Sequence, residues 1–87
     1  MPYVKQERRP ELDKIVEAMI RADVQYDGDL NYILFKFCKV GVDPGYNNYK
    51  IYIGELTEAA AEIRRRILAP YEDEKIKVNG DVDGDVE

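Results

Sequence analysis

The sequence lacks histidine, serine and tryptophan, and it contains a single cysteine, Cys38, and a single threonine, Thr57. Without an imidazole, neither a Ser-His-Asp nor a Cys-His nucleophilic site can be assembled. One thiol and no imidazole also cannot supply the nitrogen and sulfur ligands of a usual zinc site. An enzyme built from this chain would therefore depend on carboxylates, Lys, Arg, Tyr or a bound hard cation.

Long apolar runs are also missing. No window approaches the length of a membrane span, and the first nine residues contain no apolar run of signal-peptide length. A single cysteine cannot form an internal disulfide, which suits a reducing compartment. These features predict a soluble cytoplasmic protein with no membrane partner.

The formal net charge of −5 is confined to the C-terminal part of the chain. Residues 72–87 contain seven acids and two lysines, so residues 1–71 contain eleven acids and eleven bases and are neutral. A neutral body provides no basic field that would attract nucleic acid, and we do not expect nucleic acid as a partner.

The 87 residues, 45% of them apolar, fit one small domain with a single core. Residues 10–24 begin with a proline that suits the first helical turn, and their apolar face at three- and four-residue spacing is expected to be buried. Residues 48–69 are predicted to form the central helix. Its apolar stripe consists of Tyr49, Ile53, Leu56, Ala60, Ile63 and Ile67.

Residues 30–40 fit two structures. Their aromatic and β-branched content favours a strand, whereas a coherent stripe at helical spacing favours a helix, which is our prediction. The stripe consists of Leu30, Ile33, Leu34, Phe37 and Cys38. Cys38 is interpreted as a small buried hydrophobe in preference to a reactive thiol.

Pro70 is expected to end or kink the central helix. A short fourth helix over residues 70–78 fits the sequence that follows, and Asn79-Gly80 is typical of a helix stop. We expect Tyr71 to pack this segment back on the body, which would bring the acids 72–74 near the arginines 64–66. The predicted fold is an all-α, compact bundle of three main helices, with one domain over residues 1–78 and a disordered acidic tail over 79–87.

Glu55, Glu58 and Glu62 form a carboxylate array at helical spacing on the central helix. Paired arrays of this kind hold magnesium in all-α nucleotide pyrophosphatases, but the second motif is missing here. A solvated face, in which Glu62 pairs with an arginine one turn later, is the preferred interpretation.

Two other charged motifs have similarly plain interpretations. The arginines 64–66 spread around the helix and are interpreted as a complement to its dipole, with ion pairs to nearby acids. Residues 79–87 match only the first half of a calcium loop, so a disordered tail is favoured over a cation site.

Several segments resemble a family of small uncharacterised proteins found in phages, bacteria and archaea. They are Met1-Pro2-Tyr3, Gly28-Asp29-Leu30-Asn31-Tyr32, Tyr46-Asn47-Asn48-Tyr49 with Ile53-Gly54, Glu62 to Arg66, Pro70 to Lys75, and Asn79-Gly80-Asp81-Val82. The resemblance implies a helical domain of unknown function and supplies no catalytic residue. Asp83 to Glu87 run past the usual end of that family.

We therefore expect a non-enzymatic helical module that binds another protein or itself, a homodimer being one form, and we expect no cofactor. A chain this short has few residues with which to cover its own apolar helix faces. We therefore expect a partner to cover part of them. The residues predicted to make the interaction are Phe35, Tyr49, Tyr52, Ile67 and Tyr71. The alternative is a magnesium-dependent nucleotide phosphohydrolase that uses Glu55, Glu58 and Glu62.

Overall fold

The computed structural model describes residues 3–82, and within that range it contains helices and no strand. A short 3₁₀ turn, Gln6–Arg8, leads into helix α1, Arg9–Arg21, and helix α2 follows as Gly28–Gly41. The third helix begins at Tyr46. The all-α prediction is confirmed, and the strand alternative for residues 30–40 is wrong.

Contacts divide the chain into two compact units, Met1–Glu55 and Leu56–Glu87, which are described separately. The first contains α1, α2 and the start of the third helix, and the second contains the rest of that helix. One domain over residues 1–78 stays a prediction. Residues 83–87 of the predicted tail lie outside the described range.

Helix α1 begins as predicted but ends three residues earlier. Pro10 lies in its first turn, where a missing amide proton costs no helical hydrogen bond. At the other end, Asp23 adopts a left-handed conformation with φ 57°. The amide of Val24 donates to the carbonyl of Met19 at 3.1 Å, and that of Asp23 donates to Ile20 at 3.0 Å. This is a Schellman motif, which stops the helix and reverses the chain.

Helix α2 begins with paired side-chain caps. Asp27 precedes the helix, and its carboxylate accepts a hydrogen bond from the amide of Asp29 at 3.2 Å. The Asp29 carboxylate in turn accepts from the amide of Gln25 at 3.1 Å. The bond to Asp27 satisfies an amide that the first turn of a helix leaves without a partner, and the bond from Gln25 ties the preceding turn to the start of α2.

The third helix consists of three consecutive segments: an α-helical segment, Tyr46–Ile63, a π-helical turn, Arg64–Leu68, and a C-terminal α-helical segment, Ala69–Asn79. In the π turn the amide of Ala69 donates to the carbonyl of Arg64, five residues earlier. No non-helical residue separates the segments, so the predicted fourth helix is not seen as a separate element.

The π turn explains why Pro70 does not end the helix. In a regular α-helix, a proline ring clashes with the carbonyl four residues before it. A wider turn directly before Pro70 relieves that clash and keeps the backbone hydrogen-bonded. The helix ends instead at Gly80, whose amide donates to the carbonyl of Ile76 at 2.8 Å, as the Asn-Gly signal predicted.

The predicted burial of Tyr71 and the predicted meeting of the acids 72–74 with the arginines 64–66 are wrong. The acids 72–74 lie on the same helix as the arginines 64–66, about 12 Å further along its axis at 1.5 Å per residue. Tyr71, which was expected to be buried, is mostly exposed. A continuous helix cannot fold back on itself, so the two charge clusters do not meet within one chain.

Candidate interaction surfaces

Tyr52 joins the third helix to α2 inside the first unit. Its hydroxyl donates a 2.6 Å hydrogen bond to the carbonyl oxygen of Leu34, and its ring centroid lies 6.0 Å from that of Phe37. Partial burial, and secondarily the charge of Cys38, raise the pKa of the Tyr52 hydroxyl above its usual value. Of the five residues predicted to make the interaction, Tyr52 is the one that is half-buried within its own chain.

The other four predicted interaction residues are exposed. Phe35 on α2 and Ile67 in the π turn each keep 65% of their surface accessible, and Tyr49 and Tyr71 are also open to solvent. An exposed large apolar side chain does not contribute the favourable free energy that its burial would provide. These four positions are therefore available to a partner surface.

None of the residues from 3 to 82 is fully buried. The interior of the first unit consists only of half-buried side chains, which are Leu12, Met19, Val24, Leu30, Ile33, Leu34, Cys38, Val42 and Tyr52. A domain of this length normally encloses at least a small core. The first unit therefore contains the apolar residues of a core, but these side chains are not shielded from solvent.

The apolar face of α1 was expected to be buried, and this is wrong. Ile15, Val16 and Ile20 are mostly exposed, with 73% of Ile20 accessible. Helical periodicity identifies an apolar face, but it does not identify what covers that face. Sequence reasoning therefore missed α1 as a candidate interaction surface.

An apolar groove lies at the turn between α1 and α2. It has a volume of about 310 Å³ and is lined by Val16, Met19, Ile20, Val24, Tyr26 and Leu30, with Gln25 as its polar member. The Schellman motif shapes it, because that turn places Val24 beside Met19. Tyr26 stands almost completely exposed at its edge.

The carboxylates considered for magnesium do not gather into a metal-binding group. No cluster of three or more His, Cys, Asp or Glu side chains with metal-binding geometry occurs among residues 3–82. Glu62 accepts two hydrogen bonds from the guanidinium of Arg65, at 2.9 and 3.1 Å. This is the i to i+3 pair that the sequence favoured over a metal site.

The arginines 64–66 occupy the π turn, so they point in different directions around the helix.

No helix within the described part of the chain is both long enough and apolar enough to cross a bilayer.

Neither a search of curated proteins nor a search of solved structures finds a match to this chain. A family model described as Domain of unknown function (DUF6899) matches residues 1–82. The match stops before Asp83, where the sequence resemblance was expected to end. The chain therefore belongs to the DUF6899 family, a domain of unknown function.

Proposed function

We propose that this protein is a non-enzymatic helical interaction module that covers its apolar helix faces by self-association. The observation that carries the proposal is the absence of any fully buried side chain between residues 3 and 82, together with exposed large apolar residues on every helix. Examples are Ile20 on α1, Phe35 on α2 and Ile67 in the π turn.

The energetics favour association. Burying one large apolar side chain stabilises a protein by about 1.5 to 3 kcal/mol, and the whole net stability of a small domain is only about 5 to 15 kcal/mol. Covering a few of the exposed residues would therefore change the stability of this chain substantially. Scattered exposed hydrophobes are ordinary, but faces along all helices are typical of a protein that buries them in an assembly.

The charge distribution is compatible with self-association. Residues 1–71 are neutral, so two copies meet no net repulsion over most of their length. Exposed aromatic residues with basic neighbours, such as Tyr32 beside Lys36 on α2, add contact area of the kind that interfaces prefer.

The phosphohydrolase alternative has no comparable support. It requires several carboxylates that converge on one cation, whereas Glu62 is engaged by Arg65 and no metal-binding cluster is found among the described residues. We therefore do not propose it as a second function. Hydrolysis of a nucleoside triphosphate by the purified protein with magnesium would reopen it.

Sedimentation equilibrium from low to high micromolar concentration tests the proposal. We expect a mass above the 10.1 kDa of one chain that rises with concentration. Phe35→Gln and Ile67→Gln each remove an exposed apolar side chain, and we expect at least one of them to weaken association. Lys39→Gln on α2 is the matched control and should leave association unchanged. A single 10.1 kDa species throughout, or association that both variants leave intact, would overturn the proposal.

A further inference from the structure

The helix of the second unit carries its charges in alternating blocks. Glu58 and Glu62 come first, followed by the arginines 64–66, the acids 72–74 and finally Lys75 and Lys77. The arginine block and the second acidic block lie at equal sequence distances on either side of Ala69. A helix with this symmetry is complementary to itself when two copies run antiparallel.

An apolar line runs along the same helix. The π turn holds one residue more than an α turn, so Ile67 and Leu68 lie on either side of the position that Ile67 alone would hold in a regular helix. Tyr71 then continues the line in the C-terminal segment, and Lys75 and Val78 follow at four- and three-residue spacing, so the aliphatic stem of one lysine lies on the line. Most of these side chains are largely exposed, and 74% of Val78 is accessible.

The charged residues flank this line on both sides. Arg64 directly follows Ile63 and Arg66 precedes Ile67, so at roughly 80 to 100° per residue they project to opposite flanks. In the C-terminal segment, Glu72 falls on the flank of Arg64, and Glu74 falls on the flank of Arg66. Each flank therefore combines one arginine with one glutamate. Arg65 and Asp73 project to the far side of the helix, away from the line.

We infer that the helix of the second unit pairs antiparallel with the same helix of a second copy of this chain, about a two-fold axis at Ala69. Like flanks meet in an antiparallel pair, so Arg64 faces Glu72 of the second copy and Arg66 faces its Glu74. By symmetry each contact occurs twice. This inference rests on the proposed self-association and names its surface.

The apolar residues agree with the same axis. It places Ile67 opposite Tyr71 of the second copy and Ala60 opposite Val78. Each of these pairs joins two apolar side chains, and at least one member of each pair is mostly exposed in the single chain.

A parallel pair would be unfavourable. Opposite flanks meet in parallel helices, so Arg64 would lie near Arg66 of the second copy, and Glu72 near its Glu74. These like charges repel, whereas the antiparallel arrangement makes every flanking contact attractive. The charge pattern therefore selects both the partner, a second copy, and the orientation.

A charge-swap experiment tests the inference by sedimentation equilibrium. One variant carries Arg64→Glu with Arg66→Glu, and the other carries Glu72→Lys with Glu74→Lys. Each alone should associate at least roughly tenfold more weakly than the original chain, because attraction becomes repulsion at four contacts. An equimolar mixture should recover association, since every flanking contact is again between opposite charges. Recovery on mixing also shows that both variants are folded.

Arg65→Glu is the matched control, because it reverses a charge in the same turn on the far side of the helix. It should leave association nearly unchanged. Two outcomes contradict the inference while leaving self-association intact: both double variants associate like the original chain, or mixing them recovers nothing. A chain that is monomeric at every concentration would instead overturn the proposed function itself.

Disulfide trapping tests the orientation in a Cys38→Ala background. Ala60→Cys alone should not cross-link, but it should do so when mixed with Val78→Cys. A parallel pair would give the opposite result, with Ala60→Cys cross-linking to itself, and that outcome would overturn the antiparallel arrangement.

Discussion

The hydroxyl of Tyr52 donates a 2.6 Å hydrogen bond to the carbonyl oxygen of Leu34, eighteen residues earlier in the chain. This carbonyl lies inside α2, where it already accepts a helical hydrogen bond, and a carbonyl oxygen has a second lone pair for the tyrosine. The contact fixes one helix of the first unit against another through a single polar group.

We expect Tyr52→Phe to lower the free energy of unfolding at neutral pH by about 0.5 to 1.5 kcal/mol, the net contribution of one hydrogen bond. Folding raises the pKa of this hydroxyl above its ordinary value of 10.0, because burial favours the neutral form. Its stabilising contribution is therefore complete below pH 10 and is lost as the pH rises through the pKa of the folded protein.

Urea titrations between pH 7 and pH 11 measure this effect. The difference in stability between the original chain and Tyr52→Phe should shrink at the alkaline end. Tyr32→Phe, which changes an exposed tyrosine on α2, is the control. A difference that stays constant with pH would show that the Tyr52 hydroxyl does not contribute through its protonated form.

We expect Asp23→Gly to stabilise the protein by roughly 0.5 to 1 kcal/mol. Asp23 adopts a left-handed conformation at the end of α1, which glycine adopts without steric cost. Ala18→Gly, within the same helix, should lower stability by a similar amount. Chemical denaturation distinguishes the two, and a loss of stability on Asp23→Gly would mean that its side chain contributes more than its backbone costs.

Gly54→Ala should also stabilise, by up to about 1 kcal/mol, because glycine is a poor residue for a helix interior. A methyl group at this position meets no atom of residues 3–82 within 4 Å, so the substitution adds no steric clash there. Gly80→Ala is the contrasting variant and should destabilise, since Gly80 has φ 86°. Thermal unfolding followed by circular dichroism measures both changes. If Gly54→Ala weakened association, a partner backbone would lie against this position.

Pro70→Ala should raise the free energy of unfolding by less than the approximately 3 kcal/mol that an interior proline costs in a regular α-helix, because the π turn already relieves part of the clash. Pro10→Ala is the matched control, and it should give little or no gain since Pro10 lies in a first turn. Equal gains from the two variants would show that Pro70 is not strained by its position.

The sequence was sufficient to predict the helical class, because the apolar spacing in Leu12–Met19 and Leu30–Cys38 matches a helix better than a strand. A helix cap can also be predicted from the sequence, because Asp before a helical stripe is a typical N-cap, and the Asp27 carboxylate caps α2. The end of α1 was placed too late, because a left-handed aspartate leaves only a weak signal. The continuation past Pro70 was missed for a related reason, since a π turn has no sequence signature as clear as the proline itself.

The candidate surfaces were harder to predict. Phe35 and Ile67, which were predicted to make the interaction, are exposed, whereas Tyr52, predicted with them, lies half-buried against α2. The contact of Tyr52 with Leu34 joins residues that are far apart in the chain, and helical periodicity cannot predict contacts between different helices. The exposed face of α1 was missed because the spacing of Ile15, Val16 and Ile20 is the same whether a face is covered by the chain itself or by another molecule.

Cys38 can serve as a chemical reporter of the contact between Tyr52 and α2. It is the only thiol in the chain, it lies half-buried on α2, and its charge acts on the Tyr52 hydroxyl. A thiol reagent reaches a half-buried group faster when the surrounding structure opens locally. The labelling rate of the unmodified protein is therefore sensitive to separation of α2 from the third helix, and no introduced probe is required.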